Sequence, residues 1–283
     1  MEKHIRRFTR ANPGLIVFIV DQSDQMSLCA EDGRSFAEIT AESINRSILE
    51  MILRFVSGTT VKDSAWVAII THGGECDDAD IYRLEKINEL YKNPLRVENR
   101  KKRISDGAGG FLEIDLELPI FIEPFSKGFP HMKKAFQIAY ELIDEWRKKD
   151  DKIDGYFQRD KSLDPVPLIV NLTSDDICVD DELVHIVNRI KGIELDDGNP
   201  LILNCKCTAS KVVEDFTFDN TDVIASFVPQ EKTDGFKRYG GYPYVDVHSM
   251  LIMYELRKLP DVIGVITMDS IPCPCCRRGE EIR

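Results

Sequence analysis

Three short polar segments follow apolar runs in this chain, and their side-chain oxygens are the kind that hold hard divalent cations. Asp21-Gln22-Ser23-Asp24-Gln25-Met26 follows Leu15-Ile16-Val17-Phe18-Ile19-Val20. Thr71-His72-Gly73-Gly74-Glu75 follows Ala65-Trp66-Val67-Ala68-Ile69-Ile70, and Thr173-Ser174-Asp175-Asp176 follows Pro167-Leu168-Ile169-Val170-Asn171-Leu172. Carboxylate, hydroxyl and amide oxygens gathered from such segments suit Mg²⁺ or Mn²⁺. The oxygens of 21–26 and of 173–176 are the ones to consider. The plain alternative is that Asp21 and Ser23 cap a helix start or satisfy turn amides, and that Asp175 does the same after its own strand. His72 is the histidine best placed to reach such a site, against the simpler reading of a loop histidine satisfied by backbone.

The cysteines point to a second, weaker metal chemistry. Cys205 and Cys207 are spaced so that one strand face would carry both, which suits a core as well as a ligand pair. Cys273-Pro-Cys275-Cys276 places three thiols within four residues, one short of a tetrahedral zinc site, so a structural Zn²⁺ there needs a further ligand such as Cys205 or Cys207. Eight cysteines in a chain with no export signal are expected to be reduced thiols.

The elements that must position the polar segments follow from hydrophobic period. The apolar runs at 15–20, 65–70, 167–172 and 201–205 read as strands buried on both faces. Between them, residues at spacings of three and four (Ala37, Ala41, Ile44, Ile48, Met51, Ile52, Phe55; then Met132, Ala135, Phe136, Ala139, Leu142, Ile143, Trp146; then Leu183, Val187, Ile190) mark helix faces. Residues 112–118 alternate strictly, predicting a strand with one wet face at the edge of the sheet. Strands alternating with helices predict an α/β, doubly wound, mostly parallel central sheet with helices on both faces and one antiparallel edge strand. Residues 81–110 fit neither period and are read as an insertion, whose basic cluster Arg96, Arg100, Lys101, Lys102 and Arg103 is a solvated face or a contact for an acidic partner. A strand near 222–228 and a helix near 246–258 complete the expected domain, over 1–260. A Cys-containing tail follows at 261–283.

Composition narrows the function. The 283 residues carry 49 acids against 37 Lys plus Arg, a formal charge of -12, which disfavours nucleic-acid binding. No apolar run approaches the length of a bilayer span, so no membrane partner and a cytoplasmic location are expected. The chain has no P-loop, no Gly-rich turn after its first strand and no G-x-S-x-G. An Asp two residues after Asp21, the second acid of a haloacid-dehalogenase-type phosphatase, is also lacking.

Asp21-x-Ser23 after an apolar strand, a long amphipathic helix, and a late apolar strand ending in Ser174-Asp175 resemble the von Willebrand factor type A (VWA) domain. The resemblance spans roughly 13–228, extends toward 260, and includes Ser126-Lys127-Gly128-Phe129-Pro130, similar to that family's Gly-Gly-Thr-Pro loop. It implies a VWA/Rossmann-like fold and a metal-ion-dependent adhesion site whose cation leaves one position for an acidic residue of a partner. Asp21 and Ser23 match the first loop and Asp175 the late Asp, whereas Gln25 stands for a second serine, Asp24 for a glycine and Phe129 for the middle-loop threonine. The site is therefore degenerate. The helix at 250–260 resembles the closing helix of intracellular bacterial members, which often accompany phosphatase and kinase signalling partners. The implied function is a non-enzymatic, protein-binding module that uses a top-face crevice, with Asp24, Phe129, His131 and Asp176 as partner contacts. The alternative is a metal-assisted phosphoester hydrolase using the same acids.

Overall fold

The computed structural model describes residues 6–206 apart from 30–32, 76, 106–110, 150–151, 154–156 and 174–180. The strand β1 (Gly14–Gln22) is buried along all but its last residue, as a β-branched run covered on both faces must be. Further elements are α1 (Phe36–Phe55), β2 (Ala65–Gly73), β3 (Asp78–Lys86), α2 (Ile87–Lys92), β4 (Arg96–Ser105), β5 (Phe111–Ile120), α3 (Met132–Lys148), β6 (Leu168–Thr173), α4 (Asp181–Lys191) and β7 (Leu201–Lys206). The central sheet runs in the order β7-β6-β1-β2-β3. β1 is parallel to β2 and β6, and β6 is parallel to β7, while β3 is antiparallel to β2. This is the mostly parallel, helix-covered α/β sheet that the hydrophobic pattern predicts.

The period of two sorts the core into two layers. Ile16, Phe18 and Val20 pack with α1, whose buried stripe includes Ile44, Ile48, Met51 and Phe55. Leu15, Val17 and Ile19 pack on the other face against Ala135, Phe136, Ala139 and Ile143 of α3 and Leu183, Val187 and Ile190 of α4. α1 starts at a capping box in which Ser35 Oγ accepts the Glu38 N–H and Glu38 accepts the Ser35 N–H.

Two expectations are corrected. The alternating segment 112–118 is not the edge of the central sheet; it lies in β5, which pairs with β4 in a separate two-stranded hairpin. Residues 81–110 are not simply an insertion, because 81–86 belong to β3, the actual antiparallel edge strand. The reason is a bulge. Ile70 pairs with Ile81 but Ile69 pairs with Arg83, leaving Tyr82 as the extra residue. Ala79, Ile81, Leu84 and Lys86 then lie opposite the α3-side residues of β2, and the extra step between 81 and 84 hides the alternation. The basic cluster of 96–103 lies on β4, where Lys101 and Arg103 stand opposite Asp115 and Glu113 of β5. Among the described residues no helix is long and apolar enough to cross a membrane. The expected strand near 222–228, the helix at 246–258 and the tail at 261–283 lie outside the described residues.

Candidate functional site

The α3-side face of the sheet ends in polar residues at its C-terminal edge. Two residues beyond Ile19 is Asp21, two beyond Ile70 is His72, and two beyond Asn171 is Thr173, so the same period that builds the core layer sets these side chains on one face. Asp21 and His72 are register neighbours across β1 and β2. All three side chains are buried. Asp21 Oδ1 accepts the Ser23 N–H at 2.9 Å, and Asp21 Oδ2 accepts the Thr173 hydroxyl at 3.2 Å. Ser23 is also fully buried, yet among the described residues its Oγ has no hydrogen-bond partner. A buried hydroxyl left unsatisfied costs on the order of 1–3 kcal/mol.

His72 lies in the strand rather than in the loop expected for it, at 0% exposure. Its Nδ1 accepts the His131 N–H at 3.3 Å and stands 3.8 Å from Asp21 Oδ1. Burial holds its pKa below the ordinary value, with Asp21 opposing and His131 adding to the shift. The ring is therefore neutral near pH 7, and because Nδ1 accepts, its proton sits on Nε2. A Ser–His–Asp relay requires the reverse, with Nδ1–H donated to the carboxylate.

Above this layer, residues 127–131 cross the ends of β1 and β2 as a strap. Lys127 N–H donates to the Gln22 carbonyl, and Gly74 N–H donates to the Lys127 carbonyl, each at 2.7 Å. Asp24 and Gly128 bond reciprocally: Asp24 N–H to the Gly128 carbonyl at 2.9 Å, Gly128 N–H to Asp24 Oδ1 at 3.0 Å. Asp77 Oδ1 accepts the Phe129 N–H at 2.7 Å and lies 3.4 Å from His131 Nε2. Two glycines make the approach feasible. Gly73 has φ +81 and a Cβ there would lie 2.8 Å from Ser23 N; Gly128 has φ +80 and a Cβ would lie 2.6 Å from Asp77 Oδ1. The strap presents Phe129 outward, 71% exposed.

The structure thus divides the predicted residues. Asp21 and Ser23 come together in a buried pair; Gln25 is half-buried in the short 3₁₀ turn Asp24–Ser27. Asp24 and Phe129 are exposed on the crest and His131 is half-buried beside them. Asp175, Asp176, Cys207, Cys273, Cys275 and Cys276 lie outside the described residues, as does the side chain of Cys205. Thr173 and Asp77 join the site although neither stands among the candidate ligands or partner contacts that the resemblance implies. Thr173 was legible as the next same-face residue after Asn171, whereas the role of Asp77 depends on a strap from 50 residues later and has no local signal.

Among the described residues no three His, Cys, Asp or Glu side chains form a metal-holding group. The donor set is instead oxygen from Asp21, Ser23 and Thr173. This fits a hard cation that keeps several waters, with the orphaned Ser23 Oγ as an available ligand, and does not fit zinc.

No protein-family model matches the chain, and no curated protein sequence matches it. Among solved structures it is similar to the pilus adhesin SpaC from Lactobacillus rhamnosus GG, with 11% identity over 94% of this chain and a TM-score of 0.47. The chain spans 31% of SpaC. It is also similar to the manganese-loaded TRAP protein of Plasmodium vivax, with 12% identity, 89% of this chain, 74% of that chain and a TM-score of 0.39. A third is the human COPII-coat protein Sec24c, with 10% identity, 90% of this chain, 32% of that chain and a TM-score of 0.35.

Proposed function

We propose that this chain is a VWA-like, non-enzymatic protein-binding module that engages its partner at the crest formed by the segments after β1 and β2 and the strap 127–131. The observation that carries the reading is the fully buried Ser23, whose N–H is bonded to the Asp21 carboxylate and whose Oγ has no hydrogen-bond partner among the described residues, beneath a strap that exposes an aromatic side chain. Asp21 and Ser23 would hold a Mg²⁺ or Mn²⁺ ion, which when bound supplies a coordination position for a partner carboxylate. Thr173 fixes the Asp21 carboxylate in place. The ring state of His72 speaks against a Ser–His–Asp relay through Ser23, and the experiment below separates binding from metal-assisted hydrolysis. A phosphatase or kinase signalling system is the proposed setting.

The test is calorimetric titration of Mg²⁺ and Mn²⁺ into wild type and Ser23→Ala. Since Ser23 Oγ makes no hydrogen bond among the described residues, the alanine variant should keep its Tm, or gain slightly, while losing at least about tenfold in cation affinity. Equal heats in both proteins would remove the cation from the proposal. Turnover of a generic phosphoester that vanishes in Ser23→Ala would replace binding with hydrolysis.

A further inference from the structure

We infer that Phe129 is the anchor of the crest contact and that it enters an aromatic-sized apolar pocket rimmed by Lys and Arg on a partner protein. This rests on the crest being the binding face, and deepens that reading by naming the chemistry of the partner.

The first argument is presentation. An exposed phenylalanine is unfavourable in water by about 25 cal/mol for each Å² of apolar surface left wet. A loose loop would turn such a residue inward, but here the backbone prevents it. The Phe129 N–H is bonded to Asp77, the Gly128 N–H to Asp24, and the His131 N–H to His72. The positive φ of Gly128 fixes the turn just before it. A backbone tied by three amide bonds to Asp24, Asp77 and His72 needs little further ordering when the exposed Phe129 ring docks, so less of the gain from its burial is spent on ordering the strap. Buried aromatic anchors of this kind dominate interface energetics.

Charge is the second argument. Among the described residues of the three crest segments, 22–28, 74–77 and 124–131, the exposed acidic side chains are Asp24, Glu75 and Asp77 and the exposed basic one is Lys127. Asp24 and Asp77 each use a carboxylate oxygen on the strap and stand beside Phe129. Lys133 and Lys134, just beyond, are paired with Glu182 and Asp78 and so do not offset these acids. A partner surface around the Phe129 pocket must therefore be cationic, because like charges facing across an interface are strongly unfavourable. A nucleic acid or an anionic lipid surface is disfavoured by the same acids.

Glu75 provides a clean probe, since among the described residues it makes no hydrogen bond or ion pair. The experiment places a photo-crosslinking phenylalanine analogue at position 129, and separately at the exposed Leu28, of the full-length protein in its native cells. The captured protein is then produced pure and its affinity measured for wild type, Phe129→Ala and Glu75→Lys at 50 and 300 mM NaCl. The expected result is a specific crosslink from 129, at least about a tenfold loss with Phe129→Ala, a several-fold loss with Glu75→Lys, and weaker binding at the higher salt. Crosslinking from Leu28 but not from 129 overturns the anchor while leaving the crest reading intact. Silence from both positions overturns the two together. A captured protein indifferent to Phe129→Ala, or bound more tightly by Glu75→Lys, also overturns the inference.

Discussion

His72 is the residue whose burial has the most direct thermodynamic consequence. Its pKa in the folded protein lies below the ordinary histidine value of about 6.5, chiefly because burial disfavours the charged ring. The unfolded chain therefore binds more protons than the folded one once the pH drops below about 6.5. Stability is fully present above that value and is lost as the pH falls from it toward the folded pKa. Replacing His72 by Asn keeps an acceptor oxygen for the His131 N–H and removes the titration. Urea midpoints measured at pH 7.5, 6.5 and 5.5 should fall for wild type by more than for His72→Asn over the lower interval. Parallel curves would mean that other groups set the acid dependence. The positions of Asp21 and Ser23 were legible because they follow the buried apolar run of β1. The burial of His72 in the strand was not, because it depends on the strap that crosses above it.

At the level of elements, legibility followed how completely a segment is buried. β1, β2 and β6 are wrapped on both sides by helices, so their apolar runs announce them. β3 was missed since its bulge at Tyr82 breaks the period of two, and its exposed edge tolerates charge. Asp78 and Asp80 accept the N–H groups of Ala79 and Ile81 with their own side chains at 2.8 and 2.7 Å, which blunts an otherwise open strand edge. The strap depends on where β5 ends, and that is set by one polar side chain in α1. Asn45, buried in mid-helix, accepts the N–H groups of Phe121 and Ile122 and donates to the Ile122 carbonyl. Asn45→Ala would orphan all three backbone groups, so a loss of about 3 kcal/mol in unfolding free energy is expected from urea titration. Asn45→Asp, which keeps the acceptor but not the donor, should fall between. A loss under about 1 kcal/mol for the alanine variant would show that the strap is held from its crest end alone.

Across the whole molecule, the crest is separated from a second polar assembly at the opposite edge of the sheet, where β1 and β6 begin. Arg159 donates to Asp164 Oδ1 at 2.7 Å and to the Trp146 carbonyl near the end of α3, and its guanidinium stacks over the Trp146 ring at 4.2 Å. Asn12 donates to Asp164 Oδ1 and to the Asp160 carbonyl, so one buried network joins the approach to β1, the end of α3 and the approach to β6. Both charged side chains are 1% exposed. Removing one partner strands a charge in the interior, and Asp164→Ala should cost about 3–5 kcal/mol in urea denaturation. Replacing both at once, as Arg159→Met with Asp164→Leu, should recover much of that loss because no charge is then left unpaired. Under conditions where each variant remains folded, cation heats at Asp21 and Ser23 should match wild type, since no hydrogen bond of the crest passes through this network. A double variant as unstable as Asp164→Ala would show that the network is needed for its hydrogen bonds to Asn12 and Trp146. The approach to β1 would then depend on polar contacts, rather than on the apolar layers on either side of it.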